Sequence, residues 1–117
     1  GETMSDCLFC KIVQGEIPSK KVYEDENVLG FHDISPNAKE HYLFISRDHS
    51  TNVNDMSERN PDSIVHVFNA IRKFTKESGL EKSGFRVVTN TNRNSGQIVF
   101  HTHFHVLGGE PLKGFGA

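Results

Sequence analysis

The sequence contains no tryptophan, only two cysteines and no long hydrophobic run. A helix that crosses a bilayer needs about 20 apolar residues, and a signal peptide needs a hydrophobic core, so we expect neither a membrane-bound nor a secreted protein. Two cysteines outside the secretory pathway favour reduced thiols over a disulfide, and therefore a cytoplasmic protein, with the nucleus as a second location. The net charge is −2 and the lysines and arginines form no run, which disfavours a nucleic-acid partner.

The length and composition are those of an ordinary globular domain. The chain has 117 residues, of which 35% are hydrophobic and 24% are charged, enough for one domain around one core. The sequence has no repeat, low-complexity tract or linker, and we therefore predict a single domain over residues 1–117. Residues 1–3, which precede Met4, are interpreted as a cloning remnant.

Two segments have the periodicity of helices. A short helix is predicted over residues 7–14, with Ser5 and Asp6 as its caps. A long helix is predicted over residues 61–78, where Asn60 is a good N-cap and a first-turn proline is tolerated. The long helix has apolar residues at i, i+3, i+4 and i+7, and this stripe needs a sheet to cover it.

Five segments rich in β-branched and aromatic residues are predicted to be strands. They cover residues 21–24, 28–33, 41–46, 85–90 and 98–107. The polar residues 48–59 are predicted to be irregular, with room for one helical turn. Because most strands are neighbours in sequence and are joined by short turns, we predict an α+β domain. It consists of an antiparallel sheet of about five strands with one long and one short helix.

Three of the seven histidines alternate within the last predicted strand, at positions 101, 103 and 105. Side chains at i, i+2 and i+4 leave a strand on one face, so the three imidazoles form a row, with Thr102, Phe104 and Val106 on the other face. Imidazole can be a nucleophile, a general acid or base, or a metal ligand near neutral pH. Two uses stay open: a metal held by two or three histidines, or one histidine that attacks phosphorus or an acyl carbon. The strict spacing and the interleaved apolar residues disfavour a plain histidine-rich edge strand or a purification artefact.

Two further stretches are candidates for binding an anion or a sugar. In residues 90–97, Gly96 lets backbone N–H groups approach an anion, and Gln97 adds an amide donor. The alternative is a hairpin turn, rich in Asn and Gly for conformational reasons only. Asp33 ends a strand, where a carboxylate often accepts the hydroxyls of a ribose. The residues alone favour a solvent-facing Asp33 instead.

The cysteines have C-x-x-C spacing, at Cys7 and Cys10. Two thiolates at this spacing are half of a tetrahedral zinc site. A thioredoxin-like redox motif is disfavoured because no βαβ unit precedes it, whereas two buried reduced thiols stay open as an alternative. Spacing does not select the histidines that would complete a zinc site. The candidates are His32, His41, His49, His66 and His101.

Together these motifs resemble the histidine triad (HIT) superfamily, and within it the branch of histidine triad nucleotide-binding proteins (Hint). Residues 101–107, HTHFHVL, are similar to the family motif His-φ-His-φ-His-φ-φ, in which φ is hydrophobic. Further stretches similar to the branch follow one another in the right order over nearly the whole chain. They are CLFCKIV from residue 7, GEIPS from residue 15, YEDE from residue 23, FHDISP from residue 31 and HVLGG from residue 105.

The resemblance implies a homodimer with the HIT-like fold, in which the two sheets join across the interface. It also implies a purine nucleoside 5′-phosphoramidate hydrolase, an enzyme that cleaves a P–N bond and releases AMP or GMP and an amine. In that mechanism the central histidine, here His103, attacks the α-phosphorus and forms a covalent nucleotidyl-histidine, which water then hydrolyses. His105 matches the histidine that contacts phosphate oxygens and the leaving group, and Gln97 is counted with these two as catalytic.

The resemblance also assigns a nucleotide-binding set. Asp33 matches the carboxylate that binds the ribose. The base pocket is matched by Leu8, Phe9, Ile12, Phe31, His32, Ile34 and Leu43. The phosphate- and ribose-proximal loop is matched by Asn90, Gly96, Gln97 and Val99, which act together with His103 and His105.

Members of the branch that keep C-x-x-C can bind a structural zinc. The matching ligands are Cys7, Cys10, His49 and His101. No organic cofactor is implied. This chain departs from the family at Ile98, where a Ser or Thr hydroxyl usually reaches the phosphate, and it lacks the C-terminal tryptophan of some members.

Two other functions stay open at this point. One is a related dinucleoside polyphosphate hydrolase or nucleotidylyltransferase, which the Hint-like Leu107-Gly108-Gly109 disfavours. The other is a non-catalytic nucleotide- or zinc-binding interaction protein in which Ile98 has weakened catalysis. Turnover of an adenosine phosphoramidate, compared with that of a diadenosine polyphosphate, separates the three.

Overall fold

The structure, a computed structural model, describes residues 6–114. The interpreted cloning remnant and the predicted cap Ser5 lie outside these described residues. The described chain contains four α-helices, five strands and a 3₁₀ turn at Arg93–Ser95. In chain order the helices and strands are α1 (Leu8–Val13), β1 (Lys21–Glu24), β2 (Val28–His32), β3 (Glu40–Ser46), α2 (Val53–Arg59), α3 (Pro61–Ser78), α4 (Leu80–Ser83), β4 (Phe85–Val88) and β5 (Phe104–Gly108).

All five strands belong to one antiparallel sheet with the order β1-β2-β3-β5-β4. This confirms the predicted α+β class and the five-stranded antiparallel sheet. The last strand of the chain is inserted between β3 and β4, so that His105 lies between Leu43 on one side and Val88 on the other. The register therefore places the end of the histidine row in the interior of the sheet.

Helix α3 covers one face of the sheet and spans the residues predicted for it. Its buried residues Val67, Ile71 and Phe74 pack with strand residues such as Phe44. Each large apolar side chain buried in this way contributes roughly 1.5–3 kcal/mol. Gly79 ends the helix with a φ of 86°, a left-handed conformation that glycine adopts without steric cost.

Helix α1 covers part of the opposite face, where Phe9 and Ile12 pack with residues of β2 and β3. Its N-cap is Cys7, whose Sγ accepts a hydrogen bond from the backbone N–H of Cys10 at 3.3 Å. Asp6 was therefore wrongly predicted to be a cap. The Cys7 side chain is the cap because its sulfur lies within hydrogen-bond distance of an N–H in the first turn of the helix.

The prediction of one strand over residues 98–107 is wrong in its first half, because β5 covers only the second half. Upstream of β5 the backbone pairs with loops instead of with a neighbouring strand. The N–H of Thr102 donates to the carbonyl of Ser50 at 2.8 Å, and the hydroxyl of Thr89 donates to the carbonyl of His103 at 2.8 Å. These bonds pair backbone groups that hydrogen bonds to a neighbouring strand would otherwise pair.

Residues 48–59 were wrongly predicted to be irregular, because they contain α2. The side chain of Asn52 caps this helix by accepting the N–H of Asp55 at 3.0 Å, and Asp55 pairs with Arg59 at 2.9 Å. With the short α4, the described chain has four helices where two were predicted. The remaining differences are shifts of one or two residues at the ends of α1, β2, β3 and β4. None of the described helices is both long and apolar enough to cross a membrane.

Candidate active site and metal centre

The three histidines of the predicted row lie side by side on one face, although only His105 belongs to a regular strand. The ring centroids of His103 and His105 are 5.1 Å apart, and the ring of Phe9 lies 5.9 Å from that of His101 and 5.1 Å from that of His103. Phe104, which lies between two of them in sequence, is buried in the core beneath α3. The alternation expected of a strand therefore extends through residues 101–105.

His103 is held as a neutral base with a defined tautomer. Its ring is buried, and Nδ1 lies 2.7 Å from the carbonyl oxygen of His101, so that Nδ1–H donates to this carbonyl. Burial lowers the pKa of His103. The lone pair is then on Nε2, which makes this atom the available nucleophile.

A chain of hydrogen bonds assigns the proton of His105. The backbone N–H of Asn37 donates to Nδ1 of His41 at 3.0 Å, so neutral His41 carries its proton on Nε2. This Nε2 lies 2.8 Å from Nδ1 of His105 and donates to it, which leaves the His105 proton on Nε2. Burial lowers the pKa of His105 to about 4 and also lowers that of His41, so both rings are neutral near pH 7. A hydrogen-bond donor, Nε2–H of His105, thus lies next to a nucleophile, His103.

Asp33 lies beside this chain and not in open solvent. Its side chain is 16% exposed, and Oδ2 lies 3.4 Å from Nε2 of His41 and 4.0 Å from Nδ1 of His105. Oδ1 accepts the backbone N–H of Ser35 at 2.7 Å. The solvent-facing interpretation of Asp33 is therefore wrong, and its carboxylate is a hydrogen-bond acceptor at the edge of the site.

Asp33, His41 and His105 also have the composition of a metal site, since their candidate ligand atoms lie within 4.8 Å of one another. The N–H of Asn37 opposes this use, because it requires an acceptor at Nδ1 of His41. If Nε2 of His41 bound a metal, Nδ1 would carry the proton and two donors would face each other. The arrangement therefore fits a hydrogen-bond chain better than a metal site.

The residues matched to the base pocket fall into two groups. Four of them, together with Val99, lie in the apolar cluster between α1 and the sheet; the four are Phe9, Ile12, Phe31 and Leu43. The others lie outside this cluster. Leu8 is exposed, Ile34 is 98% exposed, and His32 packs on the opposite face with its ring 4.9 Å from that of Tyr42.

Gln97 stabilises the loop that precedes the histidine row. Its Oε1 accepts the N–H of Asn92 at 2.7 Å, and its Nε2 donates to the carbonyls of Thr51 at 2.7 Å and Val99 at 3.2 Å. The side chain is 6% exposed. Since both ends of the amide are paired within the protein, this geometry gives no support to a role as an anion donor.

The rest of the loop faces outward. Gly96 is exposed and has a φ of 90°, and Asn90 borders the same groove as His105. Ile98, at the position of the missing hydroxyl, is 86% exposed and is therefore not a packing residue of the described core.

Two thiols and two imidazoles meet on the other side of Phe9. The Sγ atoms of Cys7 and Cys10 lie 3.3 Å from Nδ1 of His101 and of His49 respectively, and the two Nδ1 atoms are 3.3 Å apart. Around a tetrahedral zinc with bonds of about 2.0–2.3 Å, such atoms would be roughly 3.3–3.8 Å apart. Of the five candidate histidines, the structure brings only His49 and His101 to the thiols among the described residues.

The surroundings of His101 fit a metal ligand as well. Nε2 lies 3.1 Å from the carbonyl oxygen of Ser46 and donates to it, which leaves the lone pair of Nδ1 directed at the thiols. Burial lowers the pKa of His101 to about 4, so the ring is a neutral donor. The four residues therefore match the charge, protonation and spacing that a closed tetrahedral zinc site requires.

His41 belongs to the active site, a role that its sequence position, which made it a candidate metal ligand, did not predict. Its neighbour in the site, His105, is 64 residues away in sequence. The pairing of β3 with β5 brings them together, and only an extra histidine on a predicted strand could have pointed to it.

The HIT domain family model matches residues 14–112 of this chain. The purine nucleoside phosphoramidase of Escherichia coli K12 is 40% identical over 107 residues, which cover 92% of this chain and 90% of that protein. A HIT-like protein of Rickettsia prowazekii is 39% identical over 108 residues, with the same shares of both chains covered. Among solved structures, a histidine triad protein from Clostridium difficile superposes with a TM-score of 0.91 at 43% identity, over 98% of this chain and 99% of that one. The triad, the fold and these similarities agree, and the chain belongs to the histidine triad (HIT) family.

Proposed function

We propose that this protein is a purine nucleoside 5′-phosphoramidate hydrolase, which releases AMP or GMP and an amine. The observation that carries the proposal is the pairing of a neutral nucleophile, Nε2 of His103, with the adjacent hydrogen-bond donor Nε2–H of His105. The 40% identity with the Escherichia coli purine nucleoside phosphoramidase supports the P–N bond as the bond that is cleaved.

In the first step Nε2 of His103 attacks the α-phosphorus, and the P–N bond to the amine breaks as the N–P bond forms. The carbonyl of His101 accepts Nδ1–H and so stabilises the positive charge that the ring acquires. The leaving nitrogen gains one proton from solvent, and Nε2–H of neutral His105 donates a hydrogen bond to this nitrogen as the P–N bond breaks.

In the second step water attacks the phosphorus of the nucleotidyl-histidine, and the bond to His103 breaks. The attacking water loses one proton, so uptake in the first step and release in the second balance. We assign His105 as the hydrogen-bond donor to the leaving nitrogen, with His41 as its positioning residue.

The nucleoside is assigned to the side of α1. Asp33 has a carboxylate oxygen beside the histidines and would accept the ribose hydroxyls. The apolar cluster that contains Phe9 and Phe31, with the exposed Leu8 next to Phe9 and the exposed Ile34 three residues after Phe31, is a suitable surface for a purine.

We also propose a structural zinc held by Cys7, Cys10, His49 and His101. All four tetrahedral positions would be taken by protein ligands, so the metal would supply stability and no open position for substrate. It would attach α1, and with it Phe9, to the backbone of the histidine row. This matters for activity because the same His101 supplies the carbonyl that orients His103.

A homodimer is proposed from the exposed edge of the sheet. β4 is an edge strand and carries the exposed Phe85, and α3 carries the exposed Val65 and Phe68. Phe68 packs on Phe104 of the neighbouring strand, with ring centroids 5.3 Å apart. An apolar edge of this kind is a template for pairing with a second copy. Sedimentation of the purified chain tests this proposal.

The proposed activity is tested by turnover of adenosine 5′-phosphoramidate beside a diadenosine polyphosphate. We expect the phosphoramidate to be cleaved much faster. His103→Ala should abolish turnover while AMP binding persists, because the imidazole forms the new bond and contributes little to base affinity. His66→Ala, a matched loss of imidazole on the opposite face, should leave turnover unchanged. Faster cleavage of the polyphosphate, or an active His103→Ala protein, would reject the proposal.

A further inference from the structure

A groove of about 600 Å³ begins at His41 and His105 and continues over the uncovered half of this sheet face. Its far end is bounded by Arg86, Leu112 and Lys113. The volume is in the range of sites that bind small molecules. Helix α1 packs on β2 and β3, so the nucleoside side of the site and this groove lie on opposite sides of the histidine pair.

The strand register places Arg86 at a useful distance from the reacting centre. On β4, Val88 lies opposite His105, and Arg86 lies opposite Leu107. Residues two apart on a strand share a face and are separated by about 7 Å. Arg86 therefore emerges on the face of His105, one strand repeat away from it.

The far end of the groove has an excess of positive charge. Within the described chain, neither Arg86 nor Lys113 has a carboxylate at ion-pair distance. Glu110 also borders the groove, but its carboxylate accepts the backbone N–H of Lys39. One guanidinium N–H of Arg86 donates to the carbonyl of Lys113 at 3.1 Å, which holds the side chain in the groove. The other donors of its fork are available to a planar anion.

We propose that this groove is the leaving-group subsite, and that Arg86 selects amines that carry a carboxylate. This inference rests on the proposed function. The leaving nitrogen must lie at the hydrogen-bond donor His105, so the remainder of the amine extends into the groove that His105 borders. A carboxylate a few bonds from that nitrogen would reach the guanidinium, whose fork binds carboxylates with two hydrogen bonds.

The test compares two adenosine 5′-phosphoramidates that differ only in charge, one N-linked to β-alanine and the other to β-alaninamide. For the wild-type protein we expect kcat/KM to favour the carboxylate by a factor on the order of ten, the effect of one charge-assisted hydrogen bond. Arg86→Gln should reduce this ratio to about one, and Arg86→Lys should retain part of it. Arg72→Gln, a matched change on exposed α3, should leave the ratio unchanged. Because a general loss of folded protein cancels in the ratio, a purely structural effect of Arg86→Gln does not imitate the result.

A wild-type ratio of one, or a preference that survives in Arg86→Gln, would overturn the inference. Failure of the proposed function is distinguishable, since unsubstituted adenosine 5′-phosphoramidate would then not be hydrolysed. In that case calorimetry with the two N-linked compounds on His103→Ala still decides about the subsite. Tighter binding of the carboxylate, lost in His103→Ala/Arg86→Gln, supports it, and equal affinities overturn it.

Discussion

Replacing His41 by alanine removes the donor of the 2.8 Å bond to His105 and leaves the N–H of Asn37 without its acceptor. The His105 proton is then free to move to Nδ1, where it cannot reach the leaving group. The lost hydrogen bond alone is worth about 1 kcal/mol, or about fivefold in rate. Loss of a hydrogen bond that strengthens in the transition state costs roughly a hundredfold or more. We therefore expect kcat to fall by a factor between about 5 and 100, with a smaller change in KM.

Steady-state kinetics with two leaving groups distinguish a defect in leaving-group stabilisation from a packing defect. A weakly basic aromatic amine needs less protonation than an alkylamine, so the defect of His41→Ala should be smaller for the aromatic substrate. His41→Gln keeps an N–H donor of similar reach and should recover part of the rate. His66→Ala, on α3, is the control.

Two results would refute the reasoning about His41. Equal losses for both substrates, together with a lower melting temperature, would mean that His41 acts only through packing. An unchanged kcat in folded His41→Ala would mean that the tautomer of His105 does not depend on this bond.

Four other predictions follow from the same geometry. Asp33→Ala should weaken AMP binding by about 1.5–3 kcal/mol in calorimetry, and 2′,3′-dideoxy-AMP should lose a similar amount with the native protein; equal affinity for AMP and its dideoxy analogue would exclude Asp33 as the ribose ligand. Elemental analysis should find one zinc per chain, and Cys10→Ser should lose metal and melting temperature before it loses the chemical step; a metal-free native protein whose melting does not respond to zinc would contradict this. Ile98→Ser should raise kcat, because the new hydroxyl could stabilise the transition state by up to about 3 kcal/mol. The melting temperature should not change, because Ile98 is 86% exposed. An unchanged kcat would show that a side chain at this position does not reach the phosphate. The free energy of unfolding should be highest above about pH 6.5 and should fall as the pH approaches 4, because burial lowers the pKa of His105 to about 4 and the unfolded chain binds more protons in this range; urea midpoints that stay constant between pH 7 and 5 would contradict this.

The sequence by itself determined the elements whose signals are local. Helix α3 has the predicted bounds because its cap, its first-turn proline and its apolar stripe all lie within one segment. β1 also has its predicted bounds. The alternation of His101, His103 and His105 was enough to predict that the three imidazoles lie on one face. The antiparallel sheet followed from short connections between neighbouring strands. Such features depend on residues a few positions apart, and a pattern in the chain contains them.

Only the tertiary structure decided the features that join distant segments. Cys7 and Cys10 meet a histidine 39 residues away and another more than 90 residues away, and spacing could not select these two from five candidates. The sequence predicted the amide of Gln97 to be an anion donor, whereas in the fold it donates to the carbonyl of Thr51, 46 residues away. The role of His41 depends on strand register, and the groove beside Arg86 depends on which part of the sheet α1 leaves uncovered. The tautomers that make His103 a nucleophile and His105 a donor are set by hydrogen bonds to nearby backbone and to partners on other strands. Those partners become neighbours only when the whole sheet has formed.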